Sequence, residues 1–501
     1  MEQSLSLLHT MRNHSGTPKA HGLTDAQVSR FLPNDADLVR AIQEASAHHA
    51  QLRQSDPDLL ALPEEVVIKR LQTDYVNFYK PETVNPFVAL AARGPWMVTL
   101  YGAVLHDSGG YGMLGFGHAP DAVLQTMAKP WVMANIMTAS VTHATFAAAL
   151  KRELGHTRAD GCPFDRFICM NSGSESVTVA ARIADILTLD QTKDGGRHEG
   201  KRPVYLGIER AFHGRTSGPA RFSHSTVPTY RKHLASFADQ QDLWVVPPND
   251  VAALEATFAR ADAEGVYIQL MAMEPVQGEG SPGKAMSREF YDAARRLTRA
   301  HGTLLLVDSI QAGLRTWGVL SIVDYPGFED AEAPDMETWS KALNAGQFPM
   351  SILGMTERAA ALYATGVYGN TMTTNPRGLE IATTVLGMIT PEIRKNVREQ
   401  GCHFVGDLLA LQERFPHLIT EVVGTGLLFC AELNPDNAAA IGPDSAEERC
   451  RMKGLGVIHG GRNALRFTPH FAITDAERAL VIEVLEAVLV EMDAEAQQAA
   501  K

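Results

Sequence analysis

Lys341 lies in Thr338-Trp339-Ser340-Lys341-Ala342, a stretch with few other charges that runs on through Asn344-Ala345-Gly346 to Phe348-Pro349. A lysine amine attacks an aldehyde only after losing its proton, and apolar surroundings lower its pKa from about 10.4 in that direction. Most single lysines are plain surface charges, so the residue type alone decides nothing. Asp308 ends the apolar run TLLLVD, where a carboxylate is costly to bury without a cationic or hydrogen-bonding partner. A protonated pyridine nitrogen would be such a partner: at about 4 Å and an effective dielectric near ~20 the pair gains roughly 4 kcal/mol before desolvation. A turn capped by the acid would satisfy it as well. Asn171-Ser172-Gly173-Ser174-Glu175 follows an apolar run and precedes a helical one, SVTVAARIADIL, so backbone N–H groups at that helix start could hold a phosphate. An ordinary serine-capped turn has the same letters. The order carries more than any one segment: a phosphate-type loop, the aromatic-His-Gly turn at Phe212, an acid at a strand end, then the lysine.

These residues need rigid elements to bring them together. Three strands are expected, DRFICM before Asn171, VYIQLMAM before Glu274 and TLLLVD ending in Asp308, and their near-continuous apolar character fits burial on both faces. In open α/β sheets ligands gather beyond the carboxyl ends of the strands, where all three runs turn polar. The alternation of apolar runs, glycine turns and amphipathic stretches from about Pro86 to residue 390 predicts an α/β domain with a mostly parallel sheet. After it, REQGCHFVGDLLALQERF and DAERALVIEVLEAVLVEMDAEAQQ flank a strand in TGLLFCAEL, the pattern of a smaller α+β domain. Before it, residues 1–80 have helical spacing, as in DADLVRAIQEASAHHAQLRQ, and no residues placed for chemistry.

Eight ordered segments make the chain resemble the class III, ornithine- and GABA-aminotransferase-like branch of fold-type I pyridoxal 5'-phosphate (PLP) enzymes, from about Pro86 to Glu491. They are NSGSES at Asn171, FHGRT at Phe212, EPVQGEG at Glu274, DSIQAGLRTWG at Asp308, TWSKAL at Thr338, GNTMTTNP at Gly369, GTGLLFCAEL at Gly424 and RFTPHF at Arg466. The resemblance implies a large domain with a seven-stranded-type, mostly parallel sheet over residues 126–390. A small domain would come from 81–125 and 391–501, with 1–80 as an N-terminal helical extension. It implies transamination between an amine donor and an α-keto acid through a Schiff base on Lys341, which then acts as base. Gly173 and Ser174 would bind the phosphate, Phe212 would stack on the pyridine face, Asp308 would hold the ring nitrogen and Gln311 the phenolic oxygen. Thr371 would reach the phosphate of a neighbouring subunit, which makes a homodimer with shared active sites the expected form. Arg466 would bind an α-carboxylate and be neutralised by Glu279 when an ω-amino substrate is present. Glu274 is expected to support the site from behind.

Ser309 stands where the family usually has Glu, Thr373-Thr374 replace a common Gly-Gly, the turn after Gln311 is a residue shorter, and the N-terminal region is longer. These departures bear on substrate more than on cofactor. A racemase, decarboxylase or carbon-carbon bond-forming enzyme would use the same scaffold, and a catalytically silent binding protein could retain it. Gly110-Tyr111-Gly112-Met113-Leu114-Gly115 matches the dinucleotide-binding GxGxxG pattern. No βαβ unit surrounds it and no acid follows about 20 residues on, so a dehydrogenase is not expected. His118 and His213 read as structural, His213 as part of a turn.

The 501 residues are 45% apolar and carry a net charge of -13, a composition with no basic footprint for nucleic acid. No apolar run reaches the roughly 18 residues of a membrane span, and the N-terminal segment is unlike a secretory signal, so a cytoplasmic location is expected. Cys162, Cys169, Cys402, Cys430 and Cys450 suggest neither a disulfide framework nor a zinc site, and no metal is expected.

Overall fold

A computed structural model describes residues 1–499. The chain forms two compact units, Ala122–Arg398 and a second made of Met1–Asp121 with the chain from Glu399 onward. The first unit is built on a seven-stranded sheet. In chain order its strands are β1 (Arg166–Met170), β2 (Arg202–Ile208), β3 (Leu243–Val246), β4 (Val266–Met273), β5 (Leu304–Asp308), β6 (Met336–Trp339) and β7 (Ser351–Met355).

Across the sheet they run β1-β7-β6-β5-β4-β2-β3. The pairings from β6 to β3 are parallel, and β7 is antiparallel to both β6 and β1. Because β7 alone is reversed, β1 points the same way as the other five strands, and their carboxyl ends share one edge. β4 and β5 are buried at every position, as their unbroken apolar runs require.

β1 departs from that expectation. It lies at the sheet edge, with Arg166 exposed and Phe167 and Ile168 only partly covered. Its apolar letters gave no sign of this, because an edge position is set by which strands pair and not by composition.

Helix α1 (Gly173–Thr192) follows β1 and lays Val177, Ala180, Ile183, Ala184 and Leu187 against a cluster that includes Leu270, Leu304, Leu306, Met336 and Leu353. Fully burying each larger aliphatic side chain is worth about 1.5–3 kcal/mol, which fixes the helix axis and so the position of its first turn.

In the second unit, helix Ala36–Ser55 buries Leu38, Ala41, Ile42, Ala45 and His49, a 3.6-residue stripe, and starts at Asp35, whose carboxylate accepts from Leu38 N–H at 2.9 Å. The same carboxylate accepts from Trp96 Nε1 at 2.6 Å. Glu64 is fully buried and accepts the backbone N–H groups of Lys19, Ala20 and Val88 at 2.9, 3.2 and 2.9 Å. Two four-stranded sheets complete the unit, one from 89–107 with 455–456 and one from 419–467. The GxGxxG segment falls in turns after strand Val104–Asp107, with no βαβ unit; Asp107 accepts there from Gly109 N, Gly110 N and His118 Nε2. Among the described residues no helix is long and apolar enough to cross a membrane.

Candidate active site

The shared edge of the sheet opens into a cavity of about 350 Å³. Its walls include Gly173, Ser174, Phe212, Glu279, Asp308, Gln311 and Lys341, seven of the nine residues proposed from sequence. Each follows or ends a strand whose carboxyl end meets that edge.

Lys341 comes directly after β6 and Ser340, in the short turn Lys341–Asn344. Its φ is +47°, a left-handed conformation that a side chain with a Cβ rarely adopts and that costs about 1 kcal/mol or more. Ser340 Oγ and Asn344 Nδ2 both donate to the Met350 carbonyl, at 2.6 and 3.1 Å, and hold the turn in place. The result is that Lys341 Nζ donates to Gln311 Oε1 inside the cavity.

Asp308 is 4% exposed at the end of β5. Its Oδ1 accepts from Ile310 N at 3.1 Å and Thr338 Oγ1 at 3.2 Å, and its Oδ2 pairs with His213 Nδ1 at 2.9 Å. His213 is therefore more than a turn residue: with Nδ1–H donated to the carboxylate, it orients Asp308. The residue letters alone could not place it there, since the two lie 95 positions apart.

Behind them Glu274 accepts from Phe212 N at 3.0 Å and Gly278 N at 2.8 Å, so it ties the aromatic turn to the glycine turn. Burial pushes its carboxyl up to about 7; the charge of His213 opposes the rise and that of Asp308 adds to it. One residue out of phase with the Asp308–Thr338 pair, Glu337 accepts from Ser309 Oγ at 2.6 Å, from Ser321 Oγ and from Ile322 N at 3.0 Å. Burial raises it to about 7 as well, against the pull of those donors. Ser309, unusual by the family's pattern, is thus paired with an acid supplied by the next strand.

At the start of α1 no side chain of Ser172 caps the first turn. Ser174 Oγ accepts from Arg215 N at 3.1 Å, and Gly214, at φ +117°, passes so close that a Cβ there would lie 2.1 Å from Ser174 Oγ. The aromatic turn and the helix start are one interlocked surface. Arg215, which sequence reasoning passed over, lines the same cavity, with its guanidinium 4.7 Å from the Phe212 ring centre and Nη2 3.8 Å from Glu279 Oε1. Its only signal was its place in FHGRT.

Two proposed residues are not among the cavity's lining residues. Thr371 is exposed and does not line the cavity; its carbonyl accepts from Asn135 Nδ2 at 3.2 Å. Arg466 belongs to the other unit, in strand Ala464–Phe467 opposite Cys430 and Ile458.

The cavity fits PLP group by group. A phosphate would meet the first turn of α1, a ring nitrogen would meet Asp308, and an aldehyde would meet Lys341. Gln311 Nε2 is buried without a hydrogen-bond partner among the described residues, which leaves a donor for a phenolic oxygen.

Residues 78–489 match the family described as aminotransferase class-III. The chain is 31% identical over 393 residues to the acetylornithine aminotransferase of Neisseria meningitidis serogroup B, covering 77% of this chain and 90% of that one. It is 26% identical over 472 residues to the mitochondrial acetylornithine aminotransferase of Neurospora crassa, covering 92% and 95%. Among solved structures, the ornithine aminotransferase of Toxoplasma gondii superposes with a TM-score of 0.74 at 22% identity, over 89% of this chain and 99% of that one. An (S)-enantioselective ω-transaminase from Thermomicrobium roseum gives 0.71 at 22% identity, over 85% and 98%. The fold is the fold-type I arrangement, with its mixed seven-stranded sheet flanked by helices. With the family matched over most of its length, the chain belongs to the class-III aminotransferases and is a PLP-dependent transaminase.

Proposed function

We propose that Lys341 bonds the cofactor and then moves the proton at the substrate's amine-bearing carbon, in a cytoplasmic homodimer that passes the amino group of a carboxylate-bearing amine to an α-keto acid. The observation that carries this reading is the strained Lys341 turn, which sets Nζ at Gln311 on the wall that also holds Asp308. When bound, PLP supplies an electron-accepting ring conjugated to the reacting carbon.

The chain's own residues do the rest. Asp308, fixed by three donors, is the anionic partner for the ring nitrogen. Gly173 and Ser174 offer amides at a helix N-terminus to the phosphate. Gln311 Nε2–H would serve the phenolic oxygen, and Phe212 would stack on the ring. Lys341 Nζ would act as the base that moves the proton at the substrate's amine-bearing carbon.

Arg215 and Glu279 share one end of the cavity, and their opposite charges suit a substrate bearing a carboxylate and an amine. Arg466 is the second carboxylate anchor in this reading, with Glu279 to neutralise it when an ω-amine occupies the site. The names of the relatives favour an ornithine-type donor whose reacting amine is remote from its carboxylate.

A dimer is supported by one surface. Val132, Met133, Ile136, Met137 and Val141 are exposed, Met137 at 89%, and Asn135 and Ile136 hydrogen-bond Thr371 O and Thr373 O. Thr371 thus sits beside an apolar patch of the kind that is buried between subunits, where it can reach a partner's phosphate. Five free cysteines fit a reducing compartment.

The test is the visible absorption of the purified enzyme on addition of α- and ω-amino acids without acceptor. Conversion to the pyridoxamine form by ornithine-type ω-amines, ahead of simple α-amino acids, is expected. Lys341→Ala should lose turnover altogether, and near-normal turnover in that variant would end the assignment of Lys341.

A further inference from the structure

We infer that His106, His470 and Glu477 form a binding site for a divalent transition cation of the zinc type, within the unit formed by the two ends of the chain. His106 Nε2 lies 3.4 Å and His470 Nε2 2.9 Å from the same oxygen, Glu477 Oε1. The three ligand atoms lie within 4.8 Å of one another. Tetrahedral zinc with nitrogen and oxygen ligands at about 2.0–2.2 Å separates those ligands by roughly 3.3–3.6 Å, so the group needs only small side-chain adjustments to close on an ion.

Two of the three atoms not facing the centre are held from behind. Glu477 Oε2 accepts from Thr474 N and Thr474 Oγ1, both at 2.7 Å, which leaves Oε1 as the inward oxygen. His106 Nδ1 meets Ser108 Oγ at 3.1 Å. A hydroxyl can accept as well as donate, so Ser108 suits the tautomer in which Nδ1 carries the proton and the Nε2 lone pair points inward. Trp96 stands edge-on to the His106 ring at 5.1 Å, and its own Nε1–H is anchored on Asp35, which limits the ring's movement. His106 is fully buried and the side chain of His470 is 12% exposed, so a fourth position can be filled by water from the His470 side.

Two imidazoles and a carboxylate make a borderline ligand set that suits zinc or cobalt and not the hard cations that want all-oxygen shells. Binding displaces the protons that the two Nε2 atoms otherwise donate to Glu477, and it fastens strand Val104–Asp107 to the first turn of helix Asp475–Ala499. The ion acts as a staple of this unit.

The test is titration of chelator-treated holoenzyme with Co2+ and Zn2+, followed by cobalt ligand-field absorption and by Tm. One ion per chain is expected, bound at micromolar concentration or tighter, with Tm rising roughly 3 °C or more at saturating zinc. His470→Ala and Glu477→Gln should each weaken binding at least tenfold and abolish the Tm response. Equal uptake by wild type and both variants, or none by wild type, overturns the site. Should the variants fail to fold, X-ray absorption of the zinc-loaded wild type decides: two imidazoles near ~2.0–2.1 Å are expected, and a spectrum without imidazole scattering overturns it.

Discussion

Glu274 and Glu337 are both fully enclosed acids raised to about 7, and both stand next to residues that set the geometry of Asp308. A carboxyl whose folded pKa lies above its ordinary value binds its proton more tightly in the native state than in the unfolded chain. Stability is then greatest below the ordinary value near 4.5 and falls as pH rises through about 7, by up to about 1.4 kcal/mol per pH unit for each group. Urea unfolding of the holoenzyme at a series of pH values between about 4.5 and 7 should show this decline. In Glu337→Gln, which cannot ionise, the decline should be shallower, although the variant starts lower because an amide cannot match all three donors that the carboxyl accepts. An unchanged slope would mean that Glu337 does not titrate in this range.

At the scale of elements, the site depends on two turns pressed together. The first turn of α1 and the Phe212–Gly214 turn touch through Ser174 and Gly214, and the φ of +117° there is open to glycine alone. Gly214→Ala should therefore open the helix start and weaken cofactor binding about tenfold or more, measured by titrating PLP into the apoenzyme, with global stability changed far less. Retention of wild-type cofactor affinity would show that the two turns are independent.

The same contacts mark how far the residue letters could be read. Lys341 stood out by its segment with few other charges and its place in the order of motifs, and Asp308 because it ends an apolar strand, so the strand register fixes where the side chain goes. The strands themselves were visible for the same reason, β4 and β5 most clearly. The Asp308–His213 pair was not visible, because it depends on which strands become neighbours. Nor was the exposure of β1, whose letters resemble those of a central strand. The His106–His470–Glu477 group is the extreme case: its members come from both ends of the chain, with 371 positions between His106 and Glu477, and no spacing rule spans that distance.

For the molecule as a whole, the run from Val132 to Val141 exposes five apolar side chains, a patch of the kind that is buried between subunits. Introducing charge there, as in Met137→Glu together with Ile136→Glu, should shift the enzyme from dimer towards monomer in sedimentation velocity. It should also reduce activity if Thr371 serves a partner's site. A double variant that remains fully dimeric would move the interface elsewhere.

The buried carboxylate of Glu64 has a consequence for how the protein could be shortened. The family match spans residues 78–489, which invites removal of everything before it. Glu64, however, holds the backbone at Val88 from below, Asp35 holds Trp96, and the Leu62 carbonyl holds the Tyr101 hydroxyl. A chain started at residue 78 would have lost the partners of Val88 N–H, Trp96 Nε1–H and Tyr101 O–H and the cover over Leu100 and Tyr101 at a single cut. The boundary of family resemblance is not a boundary of cooperative folding here. Such a truncated chain is expected to collect in the insoluble fraction whether or not its catalytic residues are intact.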